Sequence, residues 1–125
     1  MQLNQAPVSV MVRVKDHKIS REFYVGKLGL KHIDKGPMAP AIYEAGNGTM
    51  IVAYSGEPTH PESTIGNFSV DDVEATVKEL KAKGVVFEEY DMPDLKTVDG
   101  IATWENFKSA WFKDPDGYIY AINQK

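Results

Sequence analysis

Few side chains in this sequence are able to do chemistry. There is no cysteine, which removes a disulfide scaffold, a thiolate metal site, an iron–sulfur cluster and a cysteine nucleophile. The histidines are His17, His32 and His60. No two of them have the spacing of a ligand pair on a helix, and they read as surface side chains. Glu88 and Glu89 are neighbours, so on a strand they point to opposite faces and do not chelate together. Glu44 faces inward or into solvent, with no partner evident. No GxSxG turn is present, and Ser9 has no evident His–Asp pair, so nucleophilic catalysis lacks its parts. Gly46 and Gly48 suit a hairpin turn better than a phosphate cradle. What remains are groups that bind rather than react: two tryptophans, a few hydroxyls and amides, and Arg13.

Alternating and helical patterns show which elements carry these groups. Val8, Val10, Val12 and Val14 alternate with Ser9, Met11, Arg13 and Lys15, which predicts a strand over Pro7–Lys15 with Ser9, Met11 and Arg13 on one face. Asp16 caps a helix whose apolar face is Ile19, Phe23 and Leu28, ending at Gly29. Leu30–Asp34 is a short strand. Ala41–Ala45 and Thr49–Ser55 form a hairpin about Gly46-Asn47-Gly48. After a linker the pattern restarts. Ile65–Val70 is a strand, and Asp71-Asp72 caps a second helix, with Glu74 in capping-box position after Asp71. Val73, Val77 and Leu80 form its buried stripe, and Gly84 ends it. Val85–Tyr90 is a strand, Asp91–Lys108 a long loop of the kind that often carries function, and Ser109–Lys113 pairs with Tyr118–Asn123 about Asp114-Pro115-Asp116-Gly117. A three-residue loop there, with Gly117 left-handed, sets Trp111 opposite Ala121 and puts Trp111 and Ser109 on the cavity side. A four-residue loop puts Ala110 and Phe112 there instead. Pro, Asp and Gly in that order favour the first.

Size and composition bound the rest. A chain of 125 residues, 42% hydrophobic and 26% charged, has the makeup of one globular domain. A net charge of −4 without a basic cluster makes nucleic acid or an anionic membrane a poor partner. The longest apolar run, Met50–Tyr54, is far short of the ~20 residues of a membrane helix. The opening MQLNQAPVSV lacks the build of a signal peptide, and a cytoplasmic location is expected. The order strand, helix, three strands occurs twice, with Ser9 standing to Asp16 as Ile65 stands to Asp72. Module one is expected at about 7–56, a linker at 57–62 and module two at 63–124, within one domain. By this duplication Ile65 and Asn67 match Ser9 and Met11, and two helix-covered half-sheets are expected to enclose a concave face where a ligand sits.

The stretch DHKISREFYVGKLGL (Asp16–Leu30) resembles the first helix of the vicinal oxygen chelate superfamily, also called the glyoxalase/bleomycin resistance/dioxygenase superfamily. SVDDVEATVKELKAKGV (Ser69–Val85) resembles its second helix and WFKDPDGYIYAI (Trp111–Ile122) its closing hairpin. The resemblance implies an α+β fold of two βαβββ modules forming a half-barrel or barrel, with helices outside, commonly as a homodimer. It also implies a divalent metal held by His, Gln or Glu in the enzymes, and no metal in members that only sequester a drug. The implied ligand positions fall on Ser9, Ile65 and Ala121, and near Val52 or Ala53, which offer one hydroxyl and hydrocarbons where a cation needs several O or N donors. The expectation is therefore a metal-free protein without a cofactor, leaning away from enzyme. It binds an aromatic or largely apolar small molecule through Ser9, Met11, Arg13, Ile65, Asn67, Trp104, Ser109, Trp111 and Ala121. Trp104 lies in the segment that resembles a flap, and in the fosfomycin-resistance branch the residue matching Trp111 touches substrate. The alternatives are a metal-dependent lyase, isomerase or dioxygenase of the same superfamily, and a non-catalytic scaffold domain.

Overall fold

In the computed structural model, residues 2–125 are described, and the chain divides into two compact units at Thr59/His60. In the first unit, β1 (Val10–Val14) leads to α1 (His17–Arg21). Asp16 caps α1, its carboxylate accepting from the Lys18 and Ile19 N–H groups at 2.9 and 3.3 Å. β2 (Lys31–Ile33), β3 (Ala41–Glu44) and β4 (Met50–Ser55) complete a sheet ordered β1-β4-β3-β2, with β1 parallel to β4 and the other pairs antiparallel.

The buried face of the first helix differs from the expected one. Phe23 is buried as expected, but Ile19 is 51% exposed, and Ser20 and Tyr24 are buried in its place. Two causes act together. Tyr24 stacks on Tyr43 of the sheet with ring centroids 5.1 Å apart, so the aromatic pair sets which side turns inward. The helix also widens into a π-helix over Glu22–Lys27, where the Leu28 N–H reaches back to the Phe23 carbonyl at 2.9 Å.

The second unit repeats this connectivity. β5 (Thr64–Val70) leads to α2 (Val73–Ala82), whose Val73, Val77 and Leu80 are buried as expected. Asp72 is the cap, accepting from the Ala75 N–H at 3.0 Å. The capping box drawn from Asp71 and Glu74 does not form. Counted from Asp72, Glu74 falls one residue short of the box position, and its carboxylate pairs with Lys108.

Two expectations for the middle of this unit are corrected. Asp91–Lys108 is a folded meander of β6 (Asp91–Met92), β7 (Leu95–Val98), β8 (Ile101–Trp104) and the start of β9 (Phe107–Lys113), not a loop. With β10 (Ile119–Gln124), the sheet order is β5-β10-β9-β8-β7-β6. Val85–Tyr90 is extended but is not a strand. β8 occupies the edge of β9 from Phe107 to Ala110, which leaves only a bridge from Phe87 to Phe112 and a 2.8 Å bond from the Glu88 N–H to the Trp111 carbonyl. That segment holds the place in the second sheet that β2 holds in the first.

The fold is thus α+β, with two mixed open sheets of four and six strands and no closed barrel, consistent with two βαβββ modules of which the second carries an inserted meander. Among the described residues no helix is long and apolar enough to cross a membrane.

Candidate functional site

The register of the second sheet assigns each side chain to a face. β9 and β10 pair antiparallel with Trp111 opposite Ala121 and Phe112 opposite Tyr120. This is the pairing expected of the three-residue loop. Gly117 has φ +91°, the left-handed conformation that glycine adopts without a side-chain clash. The Asp114 carboxylate accepts from the Asp116 and Tyr118 N–H groups, both at 2.9 Å, and so locks the turn. β5 pairs parallel with β10, with Asn67 opposite Ala121.

The two faces then separate cleanly. Phe112 is 1% exposed, and Phe68, Phe87 and Tyr120 lie around it with ring centroids 6.4, 5.8 and 5.7 Å away. This aromatic layer lies on the α2 side. The opposite face carries the row Asn67–Ala121–Trp111 and beside it the row Ser69–Asn123–Ser109. Trp111 is half-buried, with the Tyr90 ring edge-on at 5.6 Å. Ala121 next to it is buried and presents only a methyl group. Ser109 is buried and its hydroxyl bonds the Asn123 carboxamide oxygen. Asn67 is exposed and donates to the Ser69 hydroxyl at 3.4 Å. An indole beside a methyl group, flanked by amides and a hydroxyl, can pack against a ring and hydrogen-bond its substituents.

Beyond this row, Lys113 lies opposite Ile119, and both border a cavity of about 410 Å³ that Tyr90, Glu88 and His60 also line. Lys113 and Glu88 pair at 3.3 Å. Burial pushes the Tyr90 phenol above its ordinary range, and the Glu88 carboxylate adds to that while Lys113 opposes it. Tyr90 is therefore a neutral hydrogen-bonding group at physiological pH, not a base.

The remaining site residues fall as follows. Ile65 is half-buried where the β5–β10 register shifts. Trp104 ends β8, 42% exposed, with its ring 5.9 Å from Phe107. Its pairing with Phe107 places it on the same face as Trp111, but four residues along β9, about 13 Å away. In the first unit, Ser9 is half-buried just before β1, Met11 is 56% exposed beside Val52, and the Arg13 guanidinium lies 5.9 Å from the centre of the Tyr54 ring. Asn123 and Tyr90 were not anticipated. The signal for Asn123 was available, since it lies two residues past Ala121 on a strand and so shares its face. Tyr90 gave none, because its approach to Trp111 follows from the bridge at Phe87.

The metal that the resemblance implies for the superfamily's enzymes does not fit the residues it points to. Ile65, Ala121, Val52 and Ala53 have no donor atom in their side chains, and Ser9 has one hydroxyl. Among the described residues no group of three or more His, Asp or Glu side chains is placed to hold a metal ion.

Comparison with known proteins bears on the whole chain. No curated protein matches it. Among solved structures it is similar to TnmS3, an antibiotic binding protein from Streptomyces sp. CB03234, at 24% identity and a TM-score of 0.63, covering 94% of this chain and 93% of that one. It is similar to a glyoxalase/bleomycin resistance protein from Catenulispora acidiphila at 18% identity and a TM-score of 0.70, covering 95% and 97%. It is also similar to lactoylglutathione lyase from Agrobacterium tumefaciens at 17% identity and a TM-score of 0.68, covering 95% and 92%. At such identities the likeness speaks to fold alone. The family model matches residues 6–122, nearly the full length, and the chain belongs to the glyoxalase/bleomycin resistance protein/dioxygenase superfamily.

Proposed function

We propose that this protein binds a small organic molecule, aromatic or largely apolar, without a metal and without chemistry upon it. The observation that supports this most is the row Asn67–Ala121–Trp111, which sets an indole against a methyl group on the face away from α2. Where metalloenzymes of the superfamily place a carboxylate on the last strand, Ala121 presents only a methyl group. Stacking on the indole contributes ~0.5–1.5 kcal/mol beyond area burial. Asn67 and the Ser109–Asn123 pair supply directional bonds. The antibiotic binding described for TnmS3 makes aromatic antibiotics the first compounds to try. Bleomycin and a panel of polycyclic aromatic antibiotics, titrated into the purified protein, should quench tryptophan emission saturably for at least one compound. A flat response across the panel would remove the support for this reading.

A further inference from the structure

A cavity of about 720 Å³ in the first unit lies between α1 and the segment 32–41, with Tyr54 and Ser55 of β4 also lining it. Its polar lining is unbalanced in charge. His17 and Arg21 come from α1, one turn apart and so on one side of the helix, His32 comes from β2, and Lys35 comes from the following loop. The lining's acidic side chain is Asp34, and one of its oxygens is committed, accepting from the Gly36 N–H at 2.8 Å. Arg21 and Lys35 form no ion pair with any described residue. His17 Nε2 and the Ser55 hydroxyl lie 2.9 Å apart, and with that hydroxyl donating, Nδ1 carries the proton and can donate; His32 packs beside Tyr43 with ring centroids 5.6 Å apart. Pro37 and Pro40 stiffen the loop that forms the far wall. The volume is that of a small-molecule site.

We propose that this cavity is a second ligand site, for a small molecule bearing a phosphate or a comparably charged oxyanion. Arg21 supplies the planar fork that such groups match, Lys35 a point charge, and the two imidazoles further N–H donors from opposite walls. Isothermal calorimetry of the full chain with inorganic pyrophosphate, at constant ionic strength, tests it. Saturable binding is expected, weakened about tenfold by Arg21→Gln and again by Lys35→Gln, since each removes a charge-assisted bond. Asp34→Asn removes the repelling charge yet keeps the acceptor for Gly36, and should tighten binding. Trp111→Ala should leave pyrophosphate affinity unchanged, so this site and the binding face of the second sheet succeed or fail independently. Absence of saturable heat, affinity unchanged from the parent in Arg21→Gln or in Lys35→Gln, or weaker binding in Asp34→Asn would each overturn the proposal.

Discussion

Adjacent residues of β9 have opposite jobs, and substitution should separate them. Phe112 is enclosed by aromatic rings on the α2 side, so Phe112→Ala should cost ~3–5 kcal/mol in denaturant unfolding. Trp111 is half-buried on the other face, so Trp111→Ala should leave the fold intact and weaken an aromatic ligand by about tenfold in fluorescence titration. Trp104→Ala should weaken it less. If Phe112→Ala abolished binding and Trp111→Ala unfolded the protein, the assignment of faces would be wrong. This division was legible in the sequence because turn chemistry fixes register: Pro115, Asp116 and a left-handed Gly117 select one pairing, and the alternation of side chains does the rest. The Tyr90–Trp111 contact was not legible, since no local rule joins residues so far apart in the chain.

Glu89 is one of the residues that tie down the inserted meander β6–β8. Its carboxylate accepts from the Thr97 hydroxyl at 2.6 Å and from the Gly100 N–H at 2.8 Å. Gly100 has φ +83°, and a Cβ there would lie 2.8 Å from the Phe87 Cβ, so glycine is required. The Thr97 hydroxyl holds the Glu89 carboxyl below its ordinary range; the Gly100 N–H and Lys81 act in the same direction, and burial opposes them. A carboxyl lowered on folding adds stability above its unfolded pKa of about 4.3 and loses it as the pH falls through the folded value. Glu89→Gln should therefore be less stable than the parent at neutral pH, and the gap should close in acid below that range, as read by urea midpoints across pH. A gap independent of pH would contradict this. The meander itself reads as a loop because its strands are two to four residues long, too short for alternation to register. Ile19 misleads for a related reason: a five-residue helix running into a π turn breaks the 3.6-residue period on which the choice of buried face rests.

At the scale of the molecule, the duplication was legible because each copy announces itself with a strand, an Asp cap and a glycine stop, and the two sheets share one connectivity. Function was less so, because a superfamily that hosts both metalloenzymes and binders fixes the fold without fixing the chemistry. Superfamily habit also leads us to expect a two-fold dimer of about 28 kDa from the 13.9 kDa chain. Light scattering at micromolar concentration checks it, and a monomer would count against it. The central claim, binding without a metal, is tested most directly by titrating a quenching aromatic ligand into the protein before and after exhaustive chelation, with elemental analysis of both samples. The two isotherms should superimpose, with no stoichiometric Zn, Ni, Mn, Co or Fe in either sample. Loss of binding on chelation, restored by adding back one of these metals, would contradict the account.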